Sequence, residues 1–326
     1  MIDSVILKDT TKEEWPSIRQ KLYDRIHKGL GNFPKVCPTD CKEICRYEKY
    51  GLTHIEISYR ACESTYAYAL IVLPEDFDSA KKYPAVITIH GTNDKGKYSL
   101  ADVENRPERS YAIELAKRGF VTVSPDQYGF GTAMEDEDYK KEYESFYDNH
   151  PDWTLTGRRL TAHQKLIDTI CTFEYIDENA IGTMGNSLGG AAVMYLTAFD
   201  ERIKAAVMST GISPNATNIY RGLKRKGSED VDRLTTNAMK INGKAPWELN
   251  EVLALCAPRA IMCIEPFNDP YNPYTMTTIE CVHSAWEVYN LLEQPQNLSL
   301  YVHGDGHDTV DTVRDMAYDW FERFLK

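Results

Sequence analysis

The sequence predicts an α/β fold in which a mostly parallel central sheet is flanked by helices. From residue 84 onward, short apolar runs alternate with helical patterns, for example a run at 85–89, a helix at 110–118 and a run at 120–124. Such alternation is typical of parallel strands joined by crossover helices. Ligands of such sheets bind beyond the carboxyl ends of the strands, and the polar motifs of this chain lie at those ends.

The first part of the chain predicts a helical extension. Residues 11–30 carry apolar side chains at helical spacing, which indicates an amphipathic helix packed against the main body. This apolar stripe consists of Trp15, Ile18, Leu22 and Ile26. We assign residues 1–53 to an N-terminal helical extension and residues 54–326 to one catalytic domain.

The catalytic domain departs from regular alternation in three places. Strand-like runs at 54–59 and 66–73 predict a hairpin that opens the sheet at an antiparallel edge. After the sixth predicted strand, at 203–208, a long polar stretch at about 211–250 predicts an insertion that serves as a lid or binds substrate. The acidic and aromatic residues 132–158 are a second segment that we expect to cover part of the site.

The chain is organised around one serine at a turn from strand to helix. Residues 181–184 predict a buried strand and residues 188–199 a helix, so Ser187 lies at the turn between them. A strained serine is tolerated there when its neighbours are small, and Gly185 and Gly189 meet this need. The G-x-S-x-G pattern predicts a nucleophile. A capping serine or a phosphate-binding turn is the alternative, although the Lys-Ser/Thr ending of a P-loop and the dinucleotide-binding spacing are both missing.

Backbone N–H groups near the serine are candidates for stabilising an oxyanion. The N–H of Leu188 lies at a helix start, and Gly91 and Thr92 follow a strand where the second donor normally originates in hydrolases with this turn. Two side chains are candidates for binding substrate. Tyr128 follows the next strand within a glycine turn, and Asn186 directly precedes the serine.

A serine nucleophile needs a base and an acid that orients the base. We choose Asp269 as the acid, in the loop past a strand, with Glu265 as the reserve; either residue also fits a turn or a cap. We choose His307 as the base because it lies in a glycine-flanked loop, whereas His303 fits the end of the last strand. The side chain of His90 fits a structural role at the end of its strand as well as it fits a role in the site. The order serine, acid, histidine, with each residue after a different strand, is specific to α/β-hydrolases.

Composition and charge restrict the partners and cofactors. The formal net charge is −12 and no basic patch offsets it, which argues against a nucleic-acid partner. No apolar run reaches the length of a membrane span and the N-terminus lacks a signal-peptide pattern, so we expect a cytoplasmic protein with reduced cysteines and no membrane partner. Cys37, Cys41 and Cys45 are spaced too widely for a usual zinc site, so we expect no metal and no other cofactor.

Residues 84–326 resemble the dienelactone hydrolase and acetyl xylan esterase-like branch of the α/β-hydrolase superfamily. The resemblance rests on the stretches IGTMGNSLGG (181–190), TAFDERIKAAV (197–207), VLALCAPRAIMCIEPFNDP (252–270) and LYVHGDGHDTV (300–310). It implies a catalytic triad of Ser187, Asp269 and His307. Glucuronoyl esterases, a related group, have arginine directly after the nucleophile, where this chain has Leu188.

The resemblance implies a serine carboxylesterase that forms an acyl-enzyme. Its partner would be a small-molecule ester with a short acyl group, such as an acetylated sugar. Two alternatives stay open: a prolyl-oligopeptidase-type serine peptidase, although no propeller repeat appears in the chain, and a non-catalytic binding protein of the same fold. Homo-oligomer formation also stays open.

Overall fold

The fold is built around one nine-stranded sheet. The computed structural model describes residues 2–31, 33, 37–62, 65–134, 139–217 and 244–326. The strands are β1 Lys42–Lys49, β2 Leu52–Cys62, β3 Thr65–Val72, β4 Tyr83–Ile89, β5 Val121–Pro125, β6 Ile176–Asn186, β7 Ile203–Ser209, β8 Ala260–Pro266 and β9 Leu298–His303. Their spatial order is β1-β2-β3-β5-β4-β6-β7-β8-β9.

The sheet changes from antiparallel to parallel at β5. The pairs β1–β2, β2–β3 and β3–β5 are antiparallel. The pairs from β5–β4 through β8–β9 are all parallel. The carboxyl ends of β5, β4, β6, β7, β8 and β9 therefore meet at one edge. This confirms the predicted α/β-hydrolase fold with a mostly parallel sheet and an antiparallel edge.

Helices cover both faces of the sheet. They are α1 Trp15–Leu30, α2 Tyr111–Lys117, α3 Tyr139–Asn149, α4 Leu155–Ile170, α5 Leu188–Phe199, α6 Leu249–Leu255, α7 Thr275–Leu291 and α8 Asp311–Leu325. Side chains of α1, α4, α5, α6 and α7 share one apolar core with the sheet. Side chains of α2 and α8 form a second core on the opposite face. Burial of the sheet on both faces explains why its parallel strands are continuous apolar runs.

We expected the N-terminal region to be a helical extension, but it also contains the strand β1. Strand β1, Lys42–Lys49, lies inside the predicted extension and pairs with β2, so the sheet begins one strand earlier. The side chains of β1 are nearly all exposed and mostly polar, which removes the apolar alternation that reveals other strands. The division at residues 53 and 54 stays a prediction, and β2 begins at Leu52.

Capping residues define where two helices begin. Helix α4 begins at Leu155, where the Thr154 hydroxyl accepts a 2.9 Å hydrogen bond from the N–H of Gly157. Helix α6 begins at Leu249. A capping box between Glu248 and Glu251 begins that helix.

The predicted insertion follows the seventh strand rather than the sixth, since β1 adds a strand. Residues 218–243 of the insertion lie outside the described residues, so its role as a lid stays a prediction. In the segment 132–158, Tyr143, Phe146 and Trp153 form a small apolar cluster with Tyr128 packed against it. Whether this segment covers the site also stays a prediction.

Helix α1 packs into the main core rather than beside it. Ile26 and Leu30 are fully buried, and Trp15 is 4% exposed. All three side chains belong to the core that contains α4 and α5. The helix therefore contributes to the stability of the whole fold.

We predict that Ile26→Ala lowers the free energy of unfolding by about 3 kcal/mol, because it leaves a cavity in the core. Urea denaturation would show a lower midpoint with an unchanged slope. Leu7→Ala is the matched control, since Leu7 is 75% exposed and its truncation removes little packing. An unchanged midpoint for Ile26→Ala would mean that α1 does not share the cooperative core.

Candidate active site

Ser187 makes the turn between β6 and α5 in a strained backbone conformation. Its φ is 59° and its ψ is −122°, a backbone conformation that residues other than glycine rarely adopt. The N–H of Ser187 donates to the carbonyl of Ser209 at 2.8 Å and to the hydroxyl of Thr210 at 3.0 Å. Both acceptors lie at the end of β7. The neighbouring strand thus holds the strained turn in place.

The glycines that flank Ser187 are required by close backbone contacts. A Cβ on Gly189 would lie 2.0 Å from the carbonyl oxygen of Ile89. A Cβ on Gly185 would lie 2.5 Å from the carbonyl carbon of Gly189. Backbone atoms cannot move away as a flexible side chain can. The G-x-S-x-G spacing therefore reflects how tightly α5 packs against the ends of β4 and β6.

Asp269 and His307, the predicted acid and base, are joined by a hydrogen bond. The Nδ1 of His307 lies 2.8 Å from Oδ2 of Asp269, and the N–H of Tyr271 donates to Oδ1 of Asp269 at 2.7 Å. Burial raises the pKa of Asp269, but the hydrogen bonds from His307 and Tyr271 outweigh it, so the pKa lies below its ordinary value. The ionised Asp269 accepts a hydrogen from Nδ1 and leaves Nε2 of His307 as the basic nitrogen.

The reserve acid, Glu265, is engaged elsewhere. It is 2% exposed, and Oε1 accepts a 3.0 Å hydrogen bond from the N–H of Ile212. Burial raises its pKa well above the ordinary value. The structure therefore joins Asp269, and not Glu265, to His307. His303 ends β9 and is 7% exposed, as expected for a packed strand residue.

The loop after β4 passes beside the nucleophile and is oriented by His90. A Cβ on Gly91 would lie 3.4 Å from Cβ of Ser187. His90 is fully buried, and burial lowers its pKa to about 4, so the ring is neutral at pH 7. Its Nε2 accepts from the N–H of Gln127 at 3.0 Å, which leaves Nδ1 to donate to the carbonyl of Gly91 at 2.6 Å.

This hydrogen bond also sets the direction of the next N–H group. In a trans peptide the C=O and N–H groups point to opposite sides, so a fixed Gly91 carbonyl fixes the N–H of Thr92. His90 thus has a structural part in the predicted oxyanion site. The oxyanion roles of Leu188, Gly91 and Thr92 themselves stay predictions.

Arg109 is a site residue that the sequence analysis missed. Its guanidinium donates from Nε to Oδ1 of Asp308 at 2.8 Å and from Nη2 to the carbonyl of His307 at 2.9 Å. Its Nη1 donates to Oδ1 of Asn186. Arg109 thereby links Asn186, the residue before Ser187, to the loop that carries His307. No local motif marks it, because its partners lie far away in the sequence.

The two predicted substrate-binding residues lie in different surroundings. Asn186 is 1% exposed, and its amide nitrogen donates to the hydroxyls of Ser209 and Thr210 at 3.3 and 2.8 Å. Its side chain therefore positions the turn, and a contact with substrate stays a prediction. Tyr128 lines a cavity at the end of β5. Its ring packs on Phe146 with 5.5 Å between centroids.

Two further findings concern metals and membranes. Within the described part of the chain, no cluster of His, Cys, Asp and Glu side chains is placed to hold a metal ion. Cys37, Cys41 and Cys45 are free thiols. Among the same described residues, no helix is long and apolar enough to cross a bilayer.

Comparisons of sequence relate the chain to a hydrolase family. A family model described as the abhydrolase family matches residues 7–271. The uncharacterized protein YcjY of Escherichia coli (strain K12) is 25% identical over 222 residues, which cover 68% of this chain and 61% of YcjY. Dipeptidyl-peptidase 5 of Porphyromonas gingivalis is 25% identical over 154 residues, which cover 44% of this chain and 19% of the peptidase. The chain thus spans less than two thirds of either relative.

Comparisons of structure agree with the fold. A glucuronoyl esterase from Solibacter usitatus superimposes with a TM-score of 0.74 at 13% identity, over 99% of this chain and 97% of the other. A Bacteroides fragilis protein named a "putative acetyl xylan esterase" gives a TM-score of 0.72 at 17% identity, over 91% of this chain and 77% of the other. At these identities the likeness shows the fold alone.

We predict that Ser187→Gly is more stable than Ser187→Ala by about 1 kcal/mol, because glycine adopts the positive φ without strain. Chemical denaturation of both variants measures the difference. Ser145 in α3 is exposed and supplies the matched control. At this helical position glycine should be less stable than alanine, by about 1 kcal/mol. If the alanine variant were more stable than the glycine variant at both positions, the backbone at Ser187 would not be strained.

Proposed function

The chain belongs to the abhydrolase family, and from this premise we propose that it is a serine esterase that hydrolyses a small carboxylic ester. The observation that carries the proposal is the 2.8 Å hydrogen bond between Asp269 and His307, at the same sheet edge as the strained Ser187. This set supplies a nucleophile, a base and an acid that orients the base. Its chain order is that of α/β-hydrolases.

The proposed reaction proceeds in two steps. The Oγ of Ser187 attacks the ester carbonyl while Nε2 of His307 accepts the hydroxyl proton, and His307 then gives that proton to the leaving alkoxide. The N–H groups of Leu188 and Thr92 would stabilise the negative oxygen of the tetrahedral intermediate. Water, deprotonated by His307, then attacks the carbonyl carbon of the acyl-enzyme; the bond to Oγ of Ser187 breaks, His307 returns the proton to Oγ, and the acid is released. Asp269 stabilises the imidazolium in both steps.

A short acyl group, such as the acetyl group of a substituted sugar, is the substrate that we favour. The resemblance of the stretches around Ser187, Asp269 and His307 to acetyl xylan esterase-like proteins supports it. Glucuronoyl esterase specificity is disfavoured, because Leu188 offers no cation where that group has arginine. The fold alone does not distinguish these substrates.

A peptidase is the second candidate function. The similarity to dipeptidyl-peptidase 5 is the observation that favours it, over 44% of this chain. The segment covers 19% of that peptidase. Hydrolysis of a dipeptidyl p-nitroanilide, with p-nitrophenyl esters left intact, would select the peptidase. A non-catalytic binding protein would hydrolyse neither class of compound.

We predict that Ser187→Ala lowers kcat for p-nitrophenyl acetate by about 10⁴-fold, since the nucleophile is removed, while thermal unfolding shows a folded protein. Initial rates with p-nitrophenyl acetate, butyrate and octanoate, together with acetate release from an acetylated sugar, measure the acyl preference. The exposed Ser145→Ala is the matched control and should keep the wild-type rate. Most of the activity surviving in Ser187→Ala would overturn the assignment of the nucleophile.

A further inference from the structure

A cavity of about 210 Å³ lies at the end of β5, apart from the acid–base pair. It is bounded by the start of β3, the loop after β5 and helix α4. The lining residues that carry the argument are Ala67, Asp126, Tyr128, Thr132, Arg158 and Ala162. This volume corresponds to about seven water molecules, which is enough for part of a small organic acid.

Arg158 brings a buried positive charge to this cavity. The residue is 5% exposed, and its Nη1 is buried without a hydrogen-bond partner among the described residues. Its guanidinium lies over the ring of Tyr128 at 5.0 Å and over that of Trp153 at 5.6 Å. These contacts hold the guanidinium but do not neutralise it. Since no ion pair joins Arg158 to a carboxylate among the described residues, an anion in the cavity would be stabilised strongly.

The carboxylate in the described lining is already neutralised. Oδ2 of Asp126 accepts from Nζ of Lys97 at 2.8 Å and from the N–H of Thr132 at 3.0 Å, and Oδ1 accepts from the N–H of Lys97 at 2.8 Å. The side chains of Asp126 and Lys97 are at most 1% exposed. Asp126 is therefore bound to Lys97 and does not balance Arg158.

The neighbours of Arg158 along helix α4 carry no negative charge. Arg159 donates from Nη2 to the hydroxyl of Tyr143 at 2.6 Å, a neutral acceptor. Burial, together with the nearby guanidinium groups of Arg159 and Arg158, lowers the pKa of His163 to about 3, so this ring is uncharged at pH 7. Neither Arg159 nor His163 therefore supplies a negative charge to Arg158.

The cavity lies at the same sheet edge as the nucleophile and at the same height. Ile87 of β4 pairs with Val123 of β5 on one side and with Thr183 of β6 on the other. Asp126 lies three positions after Val123, and Ser187 lies four positions after Thr183. Because β4 lies between β5 and β6, the ends of β5 and β6 are two strand spacings apart, about 10 Å.

We infer that this cavity is a substrate subsite for a carboxylate, with Arg158 as its counter-ion, at the end of β5 and two strands away from the strand that leads to Ser187. The inference rests on the proposed esterase function and narrows its substrate to esters with a distant acidic group. The planar guanidinium can bind both oxygens of a carboxylate, while the ring of Tyr128 packs against the chain that carries it.

The test compares p-nitrophenyl esters that differ in one terminal group. The hydrogen suberate and the octanoate have acyl chains of equal length, but the suberate ends in a carboxylate. We expect wild-type kcat/KM to be about tenfold or more higher for the suberate, through a lower KM, because a buried charge-assisted hydrogen bond is gained. Hydrogen succinate should show no such gain over butyrate, since its carboxylate is too near the carbonyl to reach Arg158.

Variants of Arg158 assign the preference to the cavity. Arg158→Gln should reduce the suberate-to-octanoate ratio to about one, and Arg158→Lys should keep an intermediate ratio because the charge remains. Arg118→Gln is the matched control, because Arg118 lies on the surface at the end of α2, where it pairs with Asp315 of α8. Titration of Ser187→Ala with suberate gives a readout without turnover, and the added Arg158→Gln substitution should abolish this binding.

The outcomes separate the two proposals. If no ester is hydrolysed, the esterase function fails. If octanoate is hydrolysed through Ser187 but suberate gains nothing, or if Arg158→Gln keeps the gain, the subsite is wrong and the esterase function stands. Absence of suberate binding to Ser187→Ala also overturns the subsite.

Discussion

The strained turn at Ser187 is the constraint on which the rest of the site depends. A strand that becomes a helix across one residue places that residue at φ 59°, and the strain persists only because neighbouring groups hold it. The end of β7 accepts the hydrogen bonds from the Ser187 N–H, and Gly189 lets α5 approach the carbonyl of Ile89. The turn thus requires β4, β6 and β7 side by side, which is the order that the sheet has. The fold supplies the turn, and the turn presents the hydroxyl.

Arg109 extends this constraint to the base. Its guanidinium connects Asn186, directly before the nucleophile, to the backbone of His307 and the carboxylate of Asp308. His307 lies on a loop that would otherwise be free to move relative to Ser187. A second link runs through Ser209, whose hydroxyl is hydrogen-bonded to that of Thr309 at 2.6 Å. Rigid support of this kind preserves the geometry that general-base catalysis needs.

The sequence was informative wherever one local pattern carries the structure. The strand, the serine and the small first turn of α5 lie within one stretch, and the apolar runs of β4 to β8 reveal a sheet buried on both faces. It was uninformative where a residue acts through distant partners: Arg109 meets His307 from 198 positions away. Strand β1 was not predicted because its exposed side chains do not alternate between apolar and polar. The choice between Asp269 and Glu265 needed three dimensions, because both are buried at the end of β8 and only Asp269 is hydrogen-bonded to His307.

Labelling by a fluorophosphonate, with the rate measured and the position mapped by peptide mass spectrometry, tests directly whether Ser187 is an activated nucleophile. The reagent bonds to an activated serine oxygen with loss of fluoride. The account predicts one adduct, on Ser187, formed about 10³-fold more slowly in Asp269→Asn, because His307 loses the carboxylate that orients it. Glu265→Gln should label at close to the wild-type rate, since burial already favours the uncharged form of Glu265. An adduct on another residue, or wild-type labelling of Asp269→Asn, would contradict the account.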